Sequence, residues 1–163
     1  MARALIVGCG CRGRALADRL AAEGIAVRGT SRGEEGLAAI EAAGFDAVQA
    51  DPSTPGTVLD LVGDVALVVW LLGSASGTEK EMDGIHGERL AGLLARLVDT
   101  PVRGVAYEAS GSASPAALAL GRELVSRASV TWSIPAAFIE EKPAGDWDAW
   151  SAAAAAAVLG LLA

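Results

Sequence analysis

The run Ala4-Leu5-Ile6-Val7-Gly8-Cys9-Gly10-Cys11-Arg12-Gly13 restricts what this chain can fold into more than any other segment. An apolar strand delivers a G-x-G-x-x-G turn to the first residues of a helix. Gly8 lets the backbone turn sharply out of the strand, Gly10 removes the Cβ where a pyrophosphate approaches, and Gly13 lets the helix pack closely on a sheet. The helix N-terminus then offers unpaired N–H groups to an anion. Ala15, Leu16, Ala17, Leu20 and Ala21 follow at helical spacing before Gly24, and a second apolar stretch at 25–29 completes a βαβ order. Alone, the hexapeptide reads equally well as a tight packing turn. In this context it reads as a dinucleotide phosphate site.

Apolar runs rich in Val, Ile and Ala recur at 4–8, 25–30, 46–50, 64–72, 103–109 and 129–134. Helical patterning separates them at 13–23, 34–43, 54–62, 84–98 and 115–127, and a final helix runs from Asp146, a suitable N-cap, to Leu162. In the fourth helix Leu90, Leu93, Leu94 and Leu97 form an i, i+3, i+4, i+7 stripe. Val65-Ala66-Leu67-Val68-Val69-Trp70 is apolar on both faces, as a parallel strand between two helix layers must be. The expected class is α/β, a three-layer doubly wound parallel sheet of six strands in the order 3-2-1-4-5-6, with right-handed crossovers. Residues 1–163 read as a single Rossmann domain with no separate substrate domain, since neither a repeat nor a Pro/Ser-rich linker divides them. The ligand crevice then lies outside the carboxyl ends of strands 1 and 4. The 8–13 turn forms one wall, and a segment beginning Leu72-Gly73-Ser74 forms the other. Residues 73–87, polar and rich in Gly and Ser, read as a mobile loop, either a plain exposed connection or a cover for a substrate.

Hydrophobic residues make up 52% of the 163 residues and aromatics only 4%, so the core is built from Ala, Leu and Val. A net charge of −7, with only Lys80 and Lys142 as lysines, argues against nucleic acid as the partner. Positive charge is instead concentrated in the first βαβ segment, as Arg3, Arg12, Arg14, Arg28 and Arg32. Cys9 and Cys11 are the only cysteines, too close in the chain for an ordinary disulfide, and with a single His they supply too few ligands for a metal site. They read as free thiols of a reducing, cytoplasmic compartment. No signal-peptide pattern precedes the first strand. The apolar stretch 152–163 is too short to span a bilayer, so no membrane association is expected.

The end of the second strand points to the nucleotide. A site for NAD usually places Asp or Glu there to hold the ribose 2′-hydroxyl, whereas this chain has Gly29-Thr30-Ser31-Arg32-Gly33. Two hydroxyls and a guanidinium suit a 2′-phosphate, and Arg12 is close enough in sequence to reach the same group. NADP is therefore expected over NAD. The competing reading makes Arg32 a solvated turn residue, with Thr30 and Ser31 capping the next helix. At the end of the third strand, Asp51 is placed either to accept from the adenine amine or to cap the helix after Pro52.

Ile6-Val7-Gly8-Cys9-Gly10, Thr30-Ser31-Arg32, Ala50-Asp51-Pro52 and Thr131-Trp132-Ser133-Ile134-Pro135-Ala136-Ala137-Phe138 together resemble the atypical and extended short-chain dehydrogenase/reductases. More narrowly, they resemble the nucleoside-diphosphate-sugar epimerase-like NAD(P)-binding proteins. The resemblance implies that the last segment is the sixth strand and its following loop, with Pro135 near the nicotinamide. It also places Ser110, after Val105-Ala106-Tyr107-Glu108-Ala109, near the family's catalytic serine. Active members pair a Tyr with a Lys four residues on, which lowers the tyrosine pKa for proton exchange. Here Tyr107 is the only tyrosine and position 111 is Gly. Fuller members also carry a C-terminal substrate domain, whereas this chain continues past Pro143 as one helix.

Ser110 and Tyr107 are the candidate catalytic residues that remain, beside Glu108, Ser112, His86 and Lys142. Tyr107 also fits a strand residue packed under a helix, His86 a surface residue, and Glu140-Glu141-Lys142 a solvated turn. Trp147 and Trp150 fit core or interface packing, so the Ala-rich last helix is a candidate homodimer face. Three functions fit these residues. The first is a cofactor sensor or scaffold that binds NADP(H) without the Tyr-Lys pair. The second is an NADPH-dependent oxidoreductase or epimerase with other catalytic residues, acting on a small-molecule substrate. The third is an interaction protein whose glycine turn stays empty.

Overall fold

The computed structural model describes residues 2–142 and 146–163. Its elements alternate as the apolar runs require. The first half holds β1 (Arg3–Val7), α1 (Cys11–Ala22), β2 (Ala26–Ser31), α2 (Glu34–Ala42), β3 (Asp46–Gln49) and α3 (Pro55–Leu59). The second half holds β4 (Leu67–Trp70), α4 (Glu79–Ile85), α5 (Glu88–Leu97), β5 (Gly104–Glu108), α6 (Pro115–Trp132), β6 (Ala136–Ile139) and α7 (Trp147–Gly160). The six strands form one parallel sheet ordered β3-β2-β1-β4-β5-β6, as expected. At its centre Ile6 stands beside Gly29 on one flank and Val69 on the other.

Alternation along the strands builds two cores. Leu5, Val7, Val68, Trp70, Val105 and Tyr107 face α3, α4, α5 and α6, where they meet Val58, Ile85, the Leu90/Leu93/Leu94/Leu97 stripe and Val125. Ala4, Ile6, Leu67, Val69 and Ala106 face the other way, onto Leu16 and Leu20 of α1, Ile40 of α2 and Trp150, Ala154 and Val158 of α7. Both faces of the sheet are covered, which explains why β1 and β4 carry no polar alternation. Arg19 fastens α1 to α7, donating to Ser151 Oγ at 2.7 Å and to Asp148 Oδ1 at 2.7 Å. Asp146 caps α7 by accepting from the N–H groups of Asp148 and Ala149. No helix among the described residues is long and apolar enough to cross a membrane.

Three expected boundaries move. Residues 129–134 do not form the sixth strand: α6 continues through Trp132, Ser133 closes it in the left-handed region at φ 55°, and β6 begins only after Pro135. The β-branched pair Val130-Thr131 imitates a strand, but the helical period already set by Leu118, Val125 and Ala128 carries through it and leaves Val130 85% exposed. The segment 73–87 is only partly a loop. Thr78 and Glu81 form a reciprocal capping box that starts α4 one turn after Ser74. The helix expected at 84–98 is consequently two, broken at His86-Gly87, where Gly87 leaves helical geometry at φ −129°, ψ −110°.

A truncation in the stripe and one in the imitation strand should separate cleanly. Leu93→Ala should cost about 2–5 kcal/mol in urea unfolding, since it empties a buried site. Val130→Ala should stay within about 0.5 kcal/mol, as an exposed helical position does. A loss at Val130 comparable to that at Leu93 would restore the strand.

Candidate functional site

The turn out of β1 is fixed by its own backbone. Gly8 has φ +86°, and a Cβ there would lie 2.7 Å from the Leu71 carbonyl oxygen and 2.6 Å from Leu72 Cδ2, so only glycine fits. Its N–H donates to Thr30 Oγ1 at 3.3 Å, and the N–H of Cys9 donates to the Thr30 carbonyl at 3.0 Å. Thr30 is buried and anchors the turn, a role the strand-end reading did not give it. Cys9 turns inward, its Sγ wedged between Gly13 and Gly29, where a Cβ would come within 3.1 and 2.8 Å of the sulfur. Burial pushes its thiol up to about 11, against a weaker opposing pull from Arg14. Cys11 points out at the first residue of α1, with Arg14 Nη2 donating to its sulfur at 3.4 Å.

Above this turn lies a pocket of about 400 Å³, within the usual small-molecule range of about 300–1,000 Å³. Gly8, Cys9, Gly10, Cys11, Arg12 and Gly13 form its floor, and Thr30, Ser31 and Arg32 line the β2 side. Ala50, Pro52 and Ser53 line the β3 side. Leu72, Ser74 and Ser76 face them, joined by Glu81, Met82 and Ile85 of α4 and by Trp147 of α7. A Cβ on Gly10 would meet nothing within 4 Å, so the floor is open where an anion would sit.

Two arginines reach this space and both are held. Arg32, half exposed, spans the pocket: its Nη2 donates to the Ser76 carbonyl at 3.2 Å and its Nη1 stands 3.6 Å from Glu81 Oε2. Arg12, 13% exposed, forms an ion pair with Glu108, which is fully buried, and its guanidinium carbon lies 5.3 Å from the Trp150 ring centre. Burial pulls the Arg12 pKa below its ordinary value. Glu108 Oε1 also accepts from the N–H of Gly73 at 2.7 Å. Arg3 and Arg28, expected among the phosphate-side cations, pair instead with Asp46 and Asp64 at the opposite edge of the sheet.

Several predicted residues stand away from the pocket. Asp51 caps the turn before α3, its Oδ1 accepting from the Ser53 N–H at 2.9 Å, and it does not line the pocket. Gly73 and Ser110 meet each other behind the pocket wall. Pro135 precedes β6, so it lies at the amino end of that strand, where its carbonyl accepts from the Val105 N–H at 3.0 Å. That is the edge opposite the glycine turn. The resemblance placed it at the nicotinamide because it took 129–134 for the strand.

Tyr107 faces α6 inside the core, and its hydroxyl occupies the space a Cβ on Gly121 would need. His86, expected on the surface, is fully buried beside it. Because a carbonyl can only accept, His86 Nε2 carries the proton donated to Leu72 O at 3.0 Å, which leaves Nδ1 to accept from the Tyr107 hydroxyl at 2.7 Å. Burial lowers the His86 pKa and raises that of Tyr107. Sequence reasoning also missed Glu81, Met82 and Ile85 in the pocket wall. The Thr78-x-x-Glu81 capping signature was the signal that could have placed them.

No known family model matches the chain, and no curated protein does. Solved structures do. A short-chain dehydrogenase/reductase superfamily protein from Agrobacterium tumefaciens, with bound NAD, superposes at TM-score 0.67 and 20% identity, over 83% of this chain and 48% of that one. UDP-glucuronic acid 4-epimerase from Bacillus cereus, in complex with NAD, gives TM-score 0.67 and 16% identity over 86% and 56%. BdcA from E. coli gives TM-score 0.73 and 18% identity over 94% and 88%. The likeness is one of fold: a doubly wound, all-parallel α/β sheet with helices on both faces. The chain spans about half the length of the first two of these proteins. Within this fold the pocket occupies the switch-point crevice between β1 and β4, the position where open α/β sheets bind ligands.

The buried His86 makes stability depend on pH. Its folded pKa is lowered, so the stability held above the ordinary imidazole value, near 6.5, is progressively lost as pH falls from there toward the folded value. Urea midpoints measured from pH 8 to pH 5 should fall more steeply for the wild type than for His86→Gln, which cannot titrate. Parallel curves would place the proton uptake elsewhere.

Proposed function

We propose that the chain is an NADP(H)-binding Rossmann protein, one domain over 1–163, that serves as a cofactor sensor or scaffold. The observation that carries this reading is the set of ionisable groups lining the pocket: Cys9, Cys11, Arg12, Arg32 and Glu81. None is a Tyr, Lys or His. Two guanidinium groups, the hydroxyls of Ser31, Ser53, Ser74 and Ser76, and the open N–H groups of the α1 terminus suit phosphate recognition. They do not suit proton exchange with a carbonyl. Tyr107, the one tyrosine, has Gly111 where a reductase pair would place Lys, and its hydroxyl is spent on His86.

Arg32 with Ser31 supports NADP over NAD, because a guanidinium can pair with a 2′-phosphate in a charge-assisted, bidentate contact. Glu81 bears on the same choice from the other side. Its carboxylate stands 3.6 Å from the Arg32 guanidinium, so a 2′-phosphate must displace it. The solvent-exposed pair is weak and yields readily.

Fluorescence titration with NADPH and NADH tests the preference. NADPH should bind tighter. Arg32→Ala should weaken NADPH by about tenfold or more, the value of a hydrogen bond to a charged group, and leave NADH nearly unchanged. Glu81→Gln, which keeps the capping box, should tighten NADPH by about twofold to fivefold. Equal or tighter binding of NADH by the wild type would overturn the NADP reading.

Catalysis is tested separately. Protein that binds NADPH should fail to oxidise it with a panel of carbonyls, quinones and sugar nucleotides. Turnover abolished by Ser110→Ala or Tyr107→Phe would replace the sensor reading with that of an oxidoreductase or epimerase.

A further inference from the structure

A dinucleotide in a doubly wound sheet lies across the switch point, with one mononucleotide half over β1, β2 and β3 and the other over β4, β5 and β6. The two halves of this crevice differ. The first is open and walled by side chains from the ends of β1, β2 and β3. The second is closed by the chain itself. Among the described residues, none between β5 and β6 lines the pocket, and from beyond β6 only Trp147, at the start of α7, reaches its edge.

The closure is specific. Glu108, at the carboxyl end of β5, is fully buried between Arg12 and the N–H of Gly73, so the glycine turn, the β4–α4 segment and β5 are tied at one carboxylate. Trp150 packs under the Arg12 guanidinium from α7. Behind Gly73 the two loops are zipped: the Ala113 N–H donates to the Gly73 carbonyl at 2.9 Å and the Ser112 N–H to Ser74 Oγ at 3.1 Å. To admit a nicotinamide riboside, the Arg12–Glu108 pair would have to part, stranding a buried carboxylate, and this is among the costliest changes a folded protein can make.

We propose that recognition at this site ends at the diphosphate. The ligand class is then an adenosine 5′-diphosphate, carrying a 2′-phosphate if the preference argued above holds, and whatever follows the second phosphate extends into water. This rests on the nucleotide-binding reading and sharpens it. Oxidised and reduced nucleotide bind alike, so a sensor built this way reports the size of a nucleotide pool and ignores its redox ratio.

Calorimetry with the full chain against NADP+, NADPH and 2′-phospho-ADP tests this, together with the emission of bound NADPH. The three dissociation constants should agree within about threefold, and NADPH emission should keep the position it has in water, because the ring stays solvated. Binding of NADPH more than about tenfold tighter than 2′-phospho-ADP, or a blue-shifted and enhanced emission, would overturn the inference while leaving the cofactor reading intact. If NADH proves the tighter dinucleotide, the same ratio is read with ADP against NADH. Failure of every one of these nucleotides to bind would overturn both.

Discussion

The carboxyl end of β1 ties three strands together through one glycine. Because Gly8 turns at positive φ, its N–H reaches Thr30 of β2 while the Val7 carbonyl still accepts from Leu71 beyond β4. A side chain at Gly8 would drive into Leu71 and Leu72, separating β4 from β1 at the point where the strand order reverses. The next residue works the same way on the other face. Cys9 fills the gap between α1 and β2 only because Gly13 and Gly29 leave room for its sulfur. One tight turn therefore fixes strand spacing, helix docking and the open floor of the pocket together. This is why the first 13 residues constrain the fold so strongly.

Strand order was legible in the sequence because a parallel sheet covered on both faces demands continuous apolar runs, and of the six runs three contain their strands and two match theirs to within one residue. The sixth misled because strand and helix compete for the same β-branched residues. Val130 and Thr131 favour a strand locally, but eighteen residues of helix beginning at Pro115 outweigh two unfavourable positions in the last turn. In the pocket, the glycine turn and Arg32 were readable because their roles follow from position along one βαβ unit. Glu81 was not, since it reaches the site only through packing between elements distant in sequence; Glu108 was read as a group near the crevice, but its pairing with Arg12, 96 residues away, was not. His86 shows the same limit. A lone histidine after a polar stretch reads as exposed, yet it is buried because Tyr107, 21 residues on, offers its hydroxyl inside the core.

A buried ion pair is weak evidence of stability, because desolvating two charges offsets most of their attraction and an apolar pair of similar volume often does as well. Trp150 already packs against the Arg12 guanidinium, an apolar contact that a hydrocarbon side chain could also make. The value of the Arg12–Glu108 pair must therefore lie in what a hydrocarbon pair could not do. Glu108 holds the Gly73 N–H, which would otherwise be a buried donor without a partner, and it orients a guanidinium whose remaining edge lines the pocket. The pair thus closes one side of the crevice and charges the other.

The distribution of titratable groups follows the same division. Among the candidate catalytic residues Tyr107, His86 and Glu108 are buried, and each is consumed within the protein: Tyr107 by His86, His86 by the Leu72 carbonyl, Glu108 by Arg12 and Gly73. An acid or base is useful only if a substrate proton can come within hydrogen-bond reach of it. Leu72 marks the boundary, because its side chain faces the ligand space while its carbonyl anchors the buried imidazole. On the proposed reading, Arg12, Arg32 and the serine hydroxyls on the solvent side of that boundary recognise anions, and the groups behind it hold the walls in place. On that same reading, a pocket divided in this way favours binding over turnover.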